Sequence, residues 1–446
     1  MNIKGINREK NWICTSTFII TFALSTDSFI NIIYKNRYIQ ILTIILSMSM
    51  LLVVALNHFD YKINIKILPI KVMWIVTSFF VLYNNVDLEK SIGASYAIYY
   101  IIAIILLLIL SQYTSWIEYF AKFMLVTSMV YAIFTILFRV FKSLYYIVIP
   151  KIYSGAILTQ LMQQYDENHM AGIASHYSTN TIYIVYGIGI MICFYFSNKY
   201  ENKRYFKRNI LILFTLLIAV FFTGKRGTII FGFLAILMVF LSQVSIRKFR
   251  KFVRLGIVLT ILIVLGTIII YIIPEIRESI FSFLRLEEGK TLNDITSGRI
   301  ELYTRALNDF KDNPLFGNGW GYYKHKYAYL YSYVGTGFYM DVHNIYIQLL
   351  AETGMVGFLA FLSPILFTLG STYKLLKKSS IKMITLSKQS KRDLKLSLFL
   401  QSFFILYGFT GNTLYDYWVF IIYILGVSMF LAVYGSIRKN KIYNKL

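Results

Sequence analysis

The 446-residue sequence is poor in charge, in cysteine and in proline. Only 15% of its residues are charged, while 57% are hydrophobic. Soluble domains carry about 25% charged residues, so an ordinary water-soluble globular class is excluded. Acidic residues are the scarcest of the charged set, 21 against 45 Lys and Arg. The two cysteines, Cys14 and Cys193, lie in apolar runs, which argues against a disulfide framework or a thiolate metal site and leaves packing. No Walker loop is present, which argues against ATP-driven transport. No DxD-type carboxylate pair lies on a loop to hold Mg²⁺ against a nucleotide-sugar. The glycines of GNGWG, residues 317–321, neither follow a strand nor open a helix, so they form a turn and not a nucleotide fingerprint. The N-terminal MNIKGINREK leads into a long apolar stretch without a small-residue cleavage site, which reads as a retained signal anchor. No fixed-period repeat, inverted two-fold pattern or Pro/Gly/Ser linker interrupts the chain.

What the chain has is long apolar segments. Twelve are read, at 12–33, 38–57, 67–83, 95–111, 117–138, 178–197, 210–223, 227–243, 256–273, 343–369, 396–412 and 418–434. Most match the roughly 20 residues that cross a bilayer, and the mean hydropathy is +0.60. The expected fold is therefore all-α: one polytopic membrane domain, 1–446, with about twelve transmembrane helices. The net charge of +24 is a topology signal and not a nucleic-acid footprint, because most of the excess falls in short loops without a groove-entering motif. NKYENKRYFKRN, VSIRKFRKFVR, YKLLKKSSIKMITLSKQSKRDLK and the C-terminal SIRKNKIYNKL fall on one side with both termini, and the positive-inside rule makes that side cytoplasmic. Outside lie the segments 139–177 and 274–342 and the tight turn TGKRGT, 223–228.

The large outer loop, 274–342, contains an amphipathic helix over 297–312, with Ser297 as N-cap, a face of Arg299, Tyr303, Ala306 and Phe310, and Asn313-Pro314 as its stop. GNGWG then gives a flexible turn. Seven tyrosines follow, Tyr322, Tyr323, Tyr327, Tyr329, Tyr331, Tyr333 and Tyr339. They fit the membrane interface first and stacking on sugars second.

Three groups on the outer side carry candidate chemistry. Arg226, beside Lys225 in the tight turn, reads either as a lipid-phosphate anchor or as a clamp on an anionic headgroup, which guanidinium binds through paired hydrogen bonds. Arg299 reads as a solvated charge or as a second phosphate ligand. His343, at the mouth of the tenth apolar segment, reads as a structural histidine or as a base taking a proton from a sugar hydroxyl. Asn344 can orient a substrate oxygen and Asp341 the imidazole. Glu352 is nine residues further, about 13 Å deeper and half a turn round the helix, so it is expected to be structural and to need a partner or a hydrated cavity. In DENHMAGIASHYS, Asp166, Asn168, His169 and His176 suit saccharide contact better than metal. The two histidines are seven apart, on one face if helical, which is wider than usual metal spacing.

These residues assemble into a pattern. SGRIELYTRALNDFKDNPLFGNGWG, followed some twenty residues on by DVHNIYIQLLAETGMVGFLAF, closely resembles the O-antigen ligase and Wzy-type polymerase superfamily. TGKRG resembles that family's Arg-bearing turn and DENHMAGI its outer Asn-containing segment. The resemblance implies a metal-independent, cofactor-free glycosyltransferase in the cytoplasmic (inner) membrane, acting on its outer face with undecaprenyl-pyrophosphate-linked glycans. By that likeness Arg226 and Arg299 bind the pyrophosphate and His343 activates the acceptor hydroxyl, with Lys225, Asn344, Asn168, Tyr303 and Asp341 around the substrate. Tyr303 stands where the family usually carries Trp. A polymerase joining lipid-linked repeat units, for capsule, exopolysaccharide or O-antigen, is favoured over a ligase acting on lipid A-core or protein. The reason is the Lys/Ile/Tyr-heavy, AT-rich-looking composition, which suits a source without lipid A. A chain-length regulator is a conceivable partner. The alternative of another class is a polysaccharide flippase or transporter, although the polar residues gather at helix mouths and in a loop, not at the bilayer midplane.

Overall fold

The computed structural model describes residues 3–25, 37–57, 68–83, 91–196, 203–243, 298–324, 326–327 and 341–443. The apolar runs fold into α1 (Ile3–Ser25), α2 (Arg37–Asn57), α3 (Leu68–Tyr83), α4 (Ser91–Leu110) and α5 (Ile117–Val140). Two short helices follow, α6 (Lys142–Ile152) and α7 (Gly155–Asp166). Then come α8 (Tyr177–Ile190), which ends in a wider turn over Met191–Tyr195, α9 (Lys203–Phe222) and α10 (Arg226–Gln243). The outer-loop helix is α11 (Arg299–Asp312), and α12 (Ile345–Ser380), α13 (Lys388–Tyr407) and α14 (Tyr417–Tyr443) complete the chain. Eleven of the twelve expected apolar segments overlap these helices, the first only as far as Ser25; residues 26–33 of that segment, the ninth segment, 256–273, and Ser297 lie outside the described residues. Among the described residues five helices are long and apolar enough to cross a membrane, and the shorter apolar stretches Asn11–Ala23, Ile41–Leu51, Leu68–Leu82 and Ala97–Leu110 accompany them. Among the described residues the fold is all-helical, with several helices that suit a membrane.

Position in the bundle follows from pattern. The apolar part of α14 has no polar stripe and is 78% buried, whereas that of α10 is 33% buried. A helix that is apolar all round belongs at the centre when its neighbours are protein. Accordingly α14 packs on α4 and α13 through stacked rings at Tyr99–Tyr417 (3.8 Å) and Phe404–Tyr423 (4.1 Å), and meets α8 through Tyr183–Trp418 (4.6 Å). The outward faces carry Leu211, Phe221 and Phe233, all at least 65% exposed, a surface that suits hydrocarbon and not water. Some interior hydroxyls are satisfied within their own helices, as with Thr135 on Tyr131 O and Thr372 on Thr368 O.

The basic stretch around 373–395 is mostly helical and not a loop. α12 runs on to Ser380 and α13 starts at Lys388, leaving only a short connection. Here Arg392 lies 3.9 Å from the Phe194 ring and within 3.5 Å of Glu118, tying α13 to α5. Tyr407, at the other end of α13, is about 20 Å away along the helix at 1.5 Å per residue. The candidate site is built at that other end.

Candidate active site

A break in α12 frames the site. Gly354 has φ 62° and ψ −170°, so the helix is interrupted about two and a half turns inside its start. The freed backbone groups are taken up by the Asn-Pro-Leu-Phe-Gly-Asn-Gly turn. Met355 N donates to Pro314 O (2.8 Å) and Val356 N to Leu315 O (3.1 Å). In return Asn318 N and Gly319 N donate to Ala351 O (3.1 Å) and Glu352 O (2.8 Å). Irregular backbone among membrane helices is tolerated only where protein satisfies it. A Cβ on Gly317 or Gly354 would come within 2.4 Å of the other's backbone partners, so both positions need glycine for conformation and for clearance. GNGWG is thus pinned, not flexible as the sequence suggested.

Glu352 completes the clamp. It is fully buried, and its carboxylate accepts from Gly321 N (2.9 Å), Tyr323 N (3.4 Å) and Gln348 Nε2 (3.2 Å). The partners it was expected to need are therefore the loop's own amides. Tyr323 and Tyr327, expected at the membrane interface, instead pack with Leu302, Ala306, Val342 and Ala351 in a small second core, with Tyr303 against it. Residues 329–340, with the other loop tyrosines Tyr329, Tyr331, Tyr333 and Tyr339, lie outside the described residues.

This clamp holds His343. Its φ of 58° is a left-handed conformation that non-glycine residues rarely adopt. Such a residue persists where its surroundings fix it. Gln348 Oε1 accepts from Val342 N (3.1 Å), the Gly408 carbonyl accepts from Ile345 N (2.9 Å), and Asn344 Oδ1 caps α12 by accepting from Tyr346 N and Ile347 N. Asn344, expected to orient substrate, thus commits its oxygen to the helix. Asp341 accepts from Lys324 (3.1 Å), Asn412 Nδ2 (3.2 Å) and Gln348 Nε2 (3.4 Å). Those bonds leave charge as its influence on the imidazole. Burial pushes His343 down to about 4; the Asp341 charge opposes this, and Arg299, Lys225 and Lys324 add to it. The imidazole is therefore neutral at physiological pH and able to accept a proton.

Three remote segments converge here. Arg299 is the first residue of α11, with Gly298 (φ 77°) in the N-cap position expected for Ser297. Its charge acts on both His343 and Tyr407. Lys225, in the turn between α9 and α10, sits 5.1 Å from the Tyr177 ring centre and acts on both His343 and His176. Arg226 is half-buried as the first residue of α10. Two residues on, Thr228 lies beside Tyr407.

The fourth segment, 167–176, is not helical, so His169 and His176 do not share a helix face. They flank one ring instead: Tyr177 has His169 stacked at 4.7 Å and His176 tilted at 4.5 Å. His169 also abuts the turn, since a Cβ on Gly224 would lie 2.3 Å from its Nδ1. Asn168 Oδ1 accepts from Arg139 Nη1 at 2.8 Å. Arg139, Lys324, Tyr407 and Asn412 escaped the sequence reading because none belongs to a motif. Among the described residues no cluster of three or more His, Cys, Asp or Glu is arranged to hold a metal.

No match is found among curated proteins. Residues 211–362 match the family model Wzy_C, described as O-antigen ligase. That span covers the turn with Lys225 and Arg226, the α11 helix with Arg299, and His343 through the broken start of α12. Residues 211–362 are thus similar to the O-antigen ligase (Wzy_C) family, in line with the O-antigen ligase and Wzy superfamily that the motifs resemble.

Proposed function

We propose that the protein is a polysaccharide polymerase. It joins undecaprenyl-pyrophosphate-linked repeat units on the outer face of the cytoplasmic membrane, with both termini inside. The observation that carries this reading is the gathering of Lys225 and Arg299 around a neutral, backbone-braced His343 from separate segments of the chain. In the reaction, an acceptor sugar hydroxyl attacks the anomeric carbon of the donor glycan. The bond from that carbon to the phosphate oxygen breaks, and the lipid diphosphate departs with the electron pair. His343 takes the hydroxyl proton. Arg226, Arg299 and Lys225 stabilise the charge developing on the diphosphate, as preorganised donors do in a recessed site. One direct displacement inverts the anomeric centre and needs no metal. Polymerisation is preferred to ligation because the composition suits a source without lipid A-core.

Purified protein in detergent, given lipid-linked repeat units, tests this. A ladder of longer glycans on the lipid is expected. Transfer to a non-lipid acceptor alone means a ligase, and no turnover of any kind returns the chain to the transporter class.

A further inference from the structure

We propose that His176 is a ligand-binding residue whose Nε2–H donates a hydrogen bond to a diphosphate oxygen of the lipid-linked donor. The proposal rests on the glycosyl-transfer reading above and adds a residue outside the matched domain. It starts from the helix cap. His176 is the N-cap of α8, and its Nδ1 accepts from Ser178 N at 3.0 Å. A ring nitrogen that accepts carries no proton, so in the neutral ring the proton is on Nε2. The cap therefore fixes both the tautomer and the direction: Nδ1 faces the helix, and Nε2 lies on the opposite edge of the ring. No hydrogen-bond partner for Nε2 occurs among the described residues.

Capping alone does not require imidazole. Ser, Thr, Asp or Asn supplies the acceptor with a smaller side chain, and a histidine supplies a second nitrogen as well. The amides of the α8 start are already satisfied, Tyr177 N by Gln164 Oε1 (3.2 Å) and Ser178 N by His176 itself. What remains on offer is the imidazole edge.

Its neighbours indicate the ligand. The Tyr177 ring brings them together: His176 lies 4.5 Å from it, His169 stacks on it at 4.7 Å and the Lys225 ammonium sits 5.1 Å from its centre, and Lys225, His343 and His169 are the charged and titratable groups acting on His176. Lys225 and Arg299 both act on His343 in turn, so His176 adjoins the same cationic cluster from the α8 side. Burial and these neighbours push its own titration down to about 3, and it stays neutral while the cluster is charged. A further cation would repel Lys225 and Arg299, whereas a neutral N–H adds a bond to an anionic oxygen without that penalty.

The test uses the full chain in detergent and undecaprenyl diphosphate as the probe, with binding read by tryptophan fluorescence and folding by the thermal midpoint. His176→Asn and His176→Ser keep a capping oxygen and remove the Nε2 donor. Each is expected to melt as the wild type does but to bind the probe about ten- to a hundredfold more weakly, the loss of one hydrogen bond to a charged group. His176→Ala, without cap or donor, is expected to lose both midpoint and binding. Wild-type affinity in either cap-retaining variant overturns the proposal, and so does a lowered midpoint in both, which would make the ring a packing residue. Wild-type protein that does not bind the probe overturns the glycosyl-transfer reading as well. A wild type that binds and polymerises, with the variants unchanged, overturns this proposal alone.

Discussion

At the residue scale the proposed chemistry depends on one imidazole kept neutral by burial and held in an uncommon backbone conformation. His343→Ala is expected to lower turnover by about two to four orders of magnitude, the usual contribution of a positioned base, while undecaprenyl diphosphate binding by the same membranes persists. Full activity in His343→Ala removes it as the base. Its titration near 4 also sets a pH dependence. The activity per free enzyme, kcat/KM, should be level across neutral pH and should fall only as pH approaches about 4, where the base becomes protonated. Stability follows the same group. His343 and His176 titrate lower folded than unfolded, so the unfolded chain binds more protons between the unfolded value of 6.5 and the folded values of about 4 and about 3. Their contribution is complete above that window and is lost as pH falls through it. A thermal midpoint that rose on acidification from pH 7 to pH 5 would contradict this.

At the scale of elements, the decisive unit is the pairing of the 313–321 turn with the break in α12. Two glycines, two amide–carbonyl exchanges and one buried carboxylate make a single clamp, and α11 with Arg299 hangs from it. Gly354→Ala forces a methyl group against the Leu315 carbonyl at 2.4 Å and a side chain into left-handed backbone. It should cost about 1–3 kcal/mol or more, seen as a lower thermal midpoint, with activity lost in parallel. Glu352→Gln keeps an acceptor for Gly321 N and should be milder than Glu352→Ala, which leaves buried amides without a partner at about 1–3 kcal/mol. Equal midpoints for these two variants would mean that the carboxylate does not hold the turn. The Asn-Pro-Leu-Phe-Gly motif and the Glu-x-Gly motif were both visible in the sequence. Their mutual attachment was not, because a turn signal reports local conformation and carries no record of what accepts its amides.

At the scale of the whole molecule, the basic ends of α12 and α13 and the candidate site at the far end of α13 define two faces. The topology reading puts them on opposite sides of the membrane. A cysteine in place of exposed Met383 should react with an impermeant maleimide only after intact cells are opened, and one in place of exposed Asp312 should react in intact cells. Native Cys14 and Cys193 are buried and should stay silent in both. Labelling of both positions from outside would overturn the orientation and, with it, a site facing outward.

The sequence by itself determined the helical membrane class, the placement of most helices, the basic face and the neighbourhood of His343, because hydropathy and helical period are written in consecutive residues. Boundaries moved where basic side chains extended α9, α12 and α13 beyond their apolar runs, since lysine and arginine continue a helix as readily as leucine does. Only the tertiary structure decided which groups meet: Lys225 and Arg299 around His343, Asp341 held by Lys324 and Asn412, Glu352 spent on the turn, and His176 brought in from α8. Those meetings join residues far apart along the chain, and they arise from the packing of whole helices, which no local pattern encodes.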